Sequence, residues 1–354
     1  MTISWYQFLI MSGIISGSFV PSVYENVIKW KYDDEKRRVE NHLASLGINF
    51  SSDYESITIL DPQLEFDQID PLLQKHYRGG WENGEPNILR NIDIVEPPMR
   101  GVVVQLNRMG LPTIGSCAGN TQHDRSSIPW VAFSKRNDTQ VALELFKSLS
   151  IPVDYYLLDS LYIHVPTDEL YRLALKLNEI QRVDHIRKSI YEERKKTLFE
   201  LLQIPGKTGN EAAVREYVLR ELAKIKTKNE RLTYLVDDEG NILGSIIPSR
   251  QMGRVSGSAS QISQKMMMLA AHLDVVCDFS PADKLVVEGN IVSREYGILG
   301  ADDRAGVAII LNLLREVGNI RRIPPFKFVF TVGEEQQQYG AEAIAPVFFV
   351  DVSF

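Results

Sequence analysis

The stretch MMMLAAHLDVV at residues 266–276 decides the fold, and three related stretches follow it. They read GILGADDRAGVAIILNLL at 297–314, FKFVFTVGEEQQQYGA at 326–341 and FFVDVSF at 348–354. The first and third contain apolar runs of about six to eight residues, too short for helices, and these predict buried parallel strands. A helix from Arg304 to Val317, closed by Gly318, is predicted between them. The pattern predicts an α/β fold with a central, mostly parallel sheet flanked by helices.

Polar residues that suit a metal site accompany these apolar runs. In an open α/β sheet, ligands bind at the carboxyl ends of the strands. The candidates at strand ends and before the helix are His272, Asp274, Asp302, Glu334, Glu335 and Asp351. Imidazole nitrogens and carboxylate oxygens are ligands for zinc, cobalt or manganese. The sequence therefore predicts a site for divalent metal.

The spacing of these residues suggests different roles for them. Asp274, two residues after His272 on a strand, points the same way and is able to orient the imidazole. A carboxylate at Asp302 is able to bridge two metal ions, which lie about 3.5–4 Å apart in two-metal sites. Side chains of neighbours at a strand end diverge, so one of Glu334 and Glu335 would bind metal while the other accepts a proton from the attacking water. This division of roles is typical of a hydrolase.

These motifs, in this order, resemble those of the co-catalytic zinc exopeptidases, the family of peptidase T, carboxypeptidase G and the aminoacylases. HLD, GADDRAG, and GEE followed by GA carry the resemblance. LLQIPGKTGNEAAVREYVLREL at 201–222 and DDEGNILG at 237–244 are similar to the opening of the same catalytic domain, so the likeness covers about residues 188–354. The resemblance implies two zinc ions per site, or cobalt or manganese in their place. It implies metal ligands at His272, Asp302, Glu335 and Asp351, with Asp302 bridging, Glu334 as general base and Asp274 orienting His272.

The chain also departs from the family pattern. Members continue beyond the residue equivalent to Asp351 and carry a late histidine that completes the second metal. His272 is the last of the six histidines in this chain. The glycine usual after the glutamate pair is replaced within Gln336–Gln338, while Gly340 and Ala341 keep their spacing. The two-metal site is therefore expected to be incomplete in this polypeptide.

The expected function is that of a peptidase T-like aminopeptidase, which hydrolyses short peptides or acylated amino acids. Glu334 would take a proton from the water and later pass one to the leaving amine. Two alternatives stay open: a deacylase or dipeptidase of the same family, and an inactive or truncated homologue that only binds a partner. Assembly into a homo-oligomer is also left open.

Composition narrows the class of protein. The 354 residues suggest a helical or irregular region at 1–97, a small α/β accessory domain at 98–185 and a partial metallopeptidase-like domain at 186–354. The net charge of −7 argues against a nucleic-acid partner. Two cysteines, Cys117 and Cys277, set no disulfide framework and fit a cytoplasmic location.

The N-terminal half gives weaker signals. Trp5 to Tyr24 carries no charge, but its polar residues favour a buried or interface helix over a membrane span. Pro21 to Leu46 is predicted to be an amphipathic helix. Residues 98–182 predict the order α-β-β-α-β-β-α, a two-layer sandwich. Within it, the turn GSCAGNTQH at 115–123 is interpreted as a structural strand end, with an anion site or a pairing of Cys117 with His123 as the alternative.

Two local predictions concern the C-terminal half. Thr208 and Glu211 predict a capping box for a helix that ends near Ile225. Asp303 is interpreted as a residue favoured by the helix dipole rather than as a metal ligand.

Overall fold

The computed structural model of the chain describes most of its residues. The described residues are 1–14, 22–24, 26–29, 33–74, 95–119, 128–227, 229–247, 266–280, 283–317, 320, 324–336, 339–350 and 352. They form two compact units, Met1–Lys188, here the N-terminal unit, and Ser189–Phe354, here the C-terminal unit. The predicted Asp351 and His123 lie outside the described residues.

The first part of the N-terminal unit mixes short strands with helices. Its elements are β1 (Thr2–Ile3), α1 (Trp5–Met11), β2 (Ser22–Tyr24), β3 (Val27–Lys29), α2 (Asp33–Ser45), β4 (Phe50–Ser52), β5 (Ser56–Ile59), β6 (Leu64–Glu65) and α3 (Ile69–Gln74). An antiparallel sheet has the order β2-β3-β5-β4, and β1 pairs with β6. The continuous helix predicted over Pro21–Leu46 is wrong in its first half. There β2 and β3 pair antiparallel in register, and the helix begins only at the charged run that opens with Asp33.

Helix α1 is buried in the core of the N-terminal unit. Ser4 caps it, since its hydroxyl accepts from the Gln7 N–H while the Gln7 side chain accepts from the Ser4 N–H. Trp5 and Phe8 are at most 1% exposed and pack among residues of the surrounding strands and helices. Among the residues that the structure describes, no helix is both long and apolar enough to cross a membrane.

The second part of the N-terminal unit has the predicted order of elements. They are α4 (Pro97–Arg108), β7 (Thr113–Cys117), β8 (Trp130–Phe133), α5 (Arg136–Ser148), β9 (Val153–Leu157), β10 (Ser160–Ile163) and α6 (Glu169–Asn178). The strands form an antiparallel sheet in the order β7-β8-β10-β9. Helix α4 begins with prolines at its first positions, where a missing N–H costs nothing. The α-β-β-α-β-β-α prediction therefore holds in the described residues.

The C-terminal unit contains a four-stranded sheet with helices beside it. Helix α7 (Asp184–Leu202) leads into this unit. The elements that follow are α8 (Ala212–Lys226), β11 (Leu232–Val236), β12 (Ile242–Ile246), β13 (Met267–His272), β14 (Leu285–Glu288), β15 (Ile291–Arg294), α9 (Ala301–Val317), β16 (Phe326–Thr331) and α10 (Tyr339–Ala343). The main sheet has the order β11-β12-β16-β13, and β14 pairs with β15. A mixed α/β architecture is thus present, as predicted.

The sheet is less parallel than the apolar runs predict. Among its described strands, β13 and β16 are parallel, while β12 is antiparallel to both β11 and β16. The short turn Asp237–Asn241 explains the first antiparallel pair, because so short a connection joins only antiparallel strands. Beside β13, Met266 forms an isolated parallel bridge with Val352.

Candidate metal centre

His272 and the glutamate pair meet because β13 and β16 are parallel and in register. His272 lies opposite Thr331, the last residue of β16, and Glu334 follows three residues later. Parallel strands place their carboxyl ends at the same edge of a sheet. Between Thr331 and Glu334 the chain turns at Gly333, whose φ of +68° and close contact with the Tyr339 ring leave no room for a side chain. The strand alignment therefore brings the predicted residues together.

The imidazole of His272 has an oxygen against each of its nitrogens. Nδ1 lies 3.1 Å from the backbone oxygen of Asp274 and 3.4 Å from its Oδ1. Nε2 lies 3.1 Å from Oδ1 of Asp302 and 3.8 Å from Oε2 of Glu334. Burial alone would lower the pKa of His272, but the hydrogen bond and charge of Asp274, with the nearby acidic groups, raise it to about 9. Without a cation, the ring therefore carries a proton on both nitrogens.

Asp274 is the buried centre of the site and links three segments. Its side chain is fully buried. Oδ1 accepts from the backbone N–H of Glu334, and Oδ2 accepts from the N–H of Glu335, both at 3.0 Å. Oδ2 also accepts from the Thr208 hydroxyl at 2.8 Å. Burial by itself would raise the pKa of Asp274, but the hydrogen bonds from His272, Glu335, Thr208 and Glu334 hold it well below its usual range.

Asp302 and Asp303, in the first turn of α9, face different environments. The backbone angles of Asp302 and Asp303 are not helical, so the regular helix begins after them. Asp303 accepts at Oδ1 from the N–H of Gly306 at 2.9 Å, which is the hydrogen bond of a helix N-cap. Its geometry agrees with its interpretation as a helix-terminal residue. Asp302 has a side chain that is 88% exposed, and it reaches His272 from the solvent side.

Three side chains are close enough to share one cation. One ligand atom each from His272, Glu334 and Glu335 lies within 4.8 Å of the others. Burial, with the negative charges of Asp302, Glu334 and Asp274, raises the pKa of Glu335, while the charge of His272 opposes that shift. An imidazole that is hydrogen-bonded through Nδ1 and surrounded by carboxylates is a donor set suited to zinc. The residues present therefore fit a divalent metal. Asp302 contacts the same imidazole nitrogen, Nε2 of His272, that Glu334 approaches.

Sequence reasoning missed two residues that support this site. The Thr208 hydroxyl donates to Asp274 and not to the helix, so the predicted capping box of Thr208 and Glu211 is wrong. Helix α8 begins after Glu211, whose carboxylate accepts a hydrogen bond from the Gly209 N–H. Asn241, fully buried, accepts from the Val332 N–H at 3.0 Å and donates to the Gly340 oxygen at 2.7 Å. Asn241 thereby holds both ends of the segment that carries the glutamate pair. A local pattern signals neither contact, since the partners are more than 60 residues away.

The segment around Cys117 lies in the N-terminal unit. The Gly119 N–H donates to the Cys117 sulfur at 3.4 Å, and the Thr167 hydroxyl donates to the Ala118 oxygen at 3.2 Å. The Ala118 N–H donates to the Glu96 carboxylate. These contacts belong to a strand end that neighbouring segments hold in place.

Part of the C-terminal unit matches a known family of peptidases. Residues 252–347 match the model of Peptidase family M28. That range contains His272, Asp274, Asp302, Glu334 and Glu335.

Known proteins are similar to part of this chain in sequence or structure. The protein YqjE of Bacillus subtilis is 24% identical over 150 residues, which are 41% of this chain and 37% of that protein. A tripeptidase from Staphylococcus aureus has 25% identity and a TM-score of 0.37 over 46% of this chain and 42% of its own. Aminopeptidase PepT from Bacillus cereus has 23% identity and a TM-score of 0.36, and the match covers 44% of this chain and 39% of PepT. This chain covers less than half of the length of each of these three proteins. The predicted resemblance to a peptidase family is confirmed over residues 252–347, which are similar to Peptidase family M28.

Proposed function

We propose that the C-terminal unit is the catalytic part of a metal-dependent exopeptidase of peptidase T type that hydrolyses short peptides. The observation that carries the proposal is the approach of His272, Glu334 and Glu335 to within 4.8 Å at adjoining strand ends. The family match over residues 252–347 supports the same class of enzyme.

His272, Asp302 and Glu335 are the residues that we propose would hold the metal, with Asp351 as a further proposed ligand. Zinc is the proposed metal because nitrogen and carboxylate oxygen suit it. When bound, the metal would supply Lewis acidity and would lower the pKa of a water molecule toward about 7. Asp274 would orient His272 through Nδ1, leaving Nε2 directed to the metal.

Glu334 is the proposed general base. Its N–H is fixed by Asp274, its side chain is 38% exposed, and its Oε2 lies 3.8 Å from Nε2 of His272. In the proposed reaction Glu334 accepts a proton from the attacking water while the carbon–oxygen bond forms. It then donates that proton to the nitrogen of the scissile peptide bond, which breaks to release the amine. A deacylase or dipeptidase reaction would use the same steps on a different substrate.

A second candidate function is binding without turnover. Within residues 189–354, His272 is the one histidine, so this segment by itself supplies one imidazole for a metal. A unit that binds one metal ion and lacks the partner for a second would retain ligand binding and lose hydrolysis. Metal content and activity, measured together, separate the two functions.

The experiment compares wild type with Glu334→Gln. We expect wild type to bind zinc and to release amino acids from tripeptides, and Glu334→Gln to bind zinc but hydrolyse about 10²–10⁴-fold more slowly. Glu342→Gln, the same change at an exposed position on α10, is the matched control and should behave as wild type. Zinc binding with no hydrolysis by wild type would favour the binding function. Undiminished hydrolysis by Glu334→Gln would contradict the role of Glu334.

A further inference from the structure

Residues 204–211 form an arm that lies against the continuation of β13. The Val275 N–H donates to the Gly206 oxygen at 3.1 Å, and the Thr208 N–H donates to the Val275 oxygen at 3.3 Å. Lys207 forms an isolated parallel bridge with Val275. The arm therefore pairs with the chain directly after Asp274, as a short extra strand would.

Further contacts fix the arm at its base. The Lys207 N–H donates to Oδ1 of Asp278 at 3.1 Å. Arg304, which is 1% exposed, reaches the Ile204 oxygen at 3.4 Å, and its Nη2 lies so close to Gly206 that a side chain there would meet it at 2.5 Å. The backbone of Thr208 is thus held on both sides, and its hydroxyl has a defined direction.

That hydroxyl is directed at Oδ2 of Asp274. Oδ2 accepts from Thr208 at 2.8 Å and from the Glu335 N–H at 3.0 Å, while Oδ1 accepts from the Glu334 N–H. Asp274 is 0% exposed, so bulk water does not replace a lost donor without structural change. A rotation of this carboxylate would break its bonds with both glutamate N–H groups and would move Oδ1 away from Nδ1 of His272, which lies 3.4 Å from it.

A role for Thr208 in the helix does not account for its position. Helix α8 begins at Ala212, after Glu211, and Thr208 donates its hydroxyl proton to an aspartate 66 residues away. A hydroxyl used in this way gives nothing to the helix terminus. Its effect falls on the orientation of Asp274.

We propose that Thr208 is a positioning residue for the metal centre, whose hydroxyl fixes the Asp274 carboxylate and, through it, His272, Glu334 and Glu335. This inference rests on the proposed function, because it assigns Thr208 to the same metal site. Removing a group that hydrogen-bonds a metal ligand commonly changes metal affinity or activity about 10–100-fold. Thr208 acts one contact further out, through Asp274, so the lower end of that range, about tenfold, is expected.

The test compares Thr208→Val with Thr208→Ser. Valine has the shape of threonine without the hydroxyl, and serine keeps the hydroxyl. Cobalt(II) titration, followed by visible absorption, gives the metal affinity, and tripeptide hydrolysis gives kcat and KM. We expect Thr208→Val to weaken cobalt binding about tenfold and to lower kcat more than it raises KM. We expect Thr208→Ser to stay within about threefold of wild type.

Two controls separate positioning from general stability. Thr233→Val removes a hydroxyl that bonds Ser245 on the β11–β12 hairpin, and it should leave cobalt affinity unchanged. Thermal unfolding in EDTA measures the stability that Thr208→Val loses through the unpaired Asp274 oxygen, and cobalt affinities are compared at a temperature at which every variant is folded. Wild-type cobalt affinity in Thr208→Val, or equal losses in Thr208→Val and Thr208→Ser, would overturn the inference. Cobalt binding by wild type without hydrolysis would overturn the proposed enzyme activity alone. No cobalt binding by wild type would overturn both.

Discussion

At the scale of single residues, His272 determines how the site responds to pH. Its pKa is raised to about 9, so the metal-free folded protein keeps an imidazolium ring at neutral pH. A metal ion must displace the proton on Nε2 before it binds that nitrogen. We therefore expect zinc binding at pH 7.5 to release about one proton from His272. Calorimetric titrations in two buffers with different heats of ionisation measure this number.

The direction in which metal affinity changes with pH follows from the raised pKa of His272. Below about pH 9 each unit of increase in pH makes the neutral ring about ten times more available, so the apparent metal affinity should rise with pH between 6 and 8.5. His272→Gln lacks this ligand, so it should neither bind zinc with wild-type affinity nor release this proton. An affinity that stays level across this range in wild type would contradict the prediction.

At the scale of the elements, the close approach of β12 and β16 depends on Gly244. Gly244 lies opposite Phe328 in register, and a side-chain carbon at 244 would lie 2.1 Å from the Phe328 ring. Phe328 is fully buried, so the ring has little room to move. We expect Gly244→Ala to lower the free energy of unfolding of the C-terminal unit by about 1–3 kcal/mol, measured by denaturant titration.

Ser245→Ala is the control for this prediction. Ser245 is the next residue of β12, and its hydroxyl bonds Thr233 at an exposed position, so its loss should cost about 0.5 kcal/mol or less. A Gly244→Ala protein as stable as Ser245→Ala would mean that β12 and β16 separate more easily than their register indicates.

The order of helices and strands could be predicted where each element has its own apolar pattern and is bounded by turn residues. The α-β-β-α-β-β-α order of residues 98–182 follows from apolar runs and turn residues, and the structure has it. The first half of the helix predicted over Pro21–Leu46 is wrong, because the helical pattern of the charged second half was extended over the whole stretch. The strands β2 and β3 gain their stability from pairing with each other and, through β3, with β5, which begins more than 20 residues later.

At the scale of the whole molecule, the described residues of the metal site all belong to the C-terminal unit. A metal that binds only the folded state stabilises it by about 4 kcal/mol at a thousandfold excess over the dissociation constant. We expect zinc removal by EDTA to lower the unfolding temperature of the C-terminal unit (Ser189–Phe354) and to leave that of the N-terminal unit (Met1–Lys188) unchanged. Differential scanning calorimetry measures both transitions.

His272→Gln gives the control at this scale. In that variant EDTA should have little effect, because a ligand of the metal is missing. A shift of the N-terminal transition on zinc removal would show that metal binds outside the proposed centre.

The sequence by itself determined which chemistry is present. An imidazole and several carboxylates at the ends of short apolar runs predicted strands, their carboxyl ends and a metal site, because residue type and local periodicity are readable along the chain. The family resemblance followed from the same residues, and the match over 252–347 confirms it.

Only the tertiary structure decided which groups hold the site together. Thr208 seemed to be a helix cap because the local pattern satisfies that motif, but its hydroxyl donates to Asp274 instead. Asn241 lies at the end of the Asp237–Asn241 turn, but its side chain bonds Val332 and Gly340 across the fold. A buried carboxylate or amide requires partners wherever the fold supplies them. Those partners depend on strand register and loop placement, which residues distant in the sequence set together.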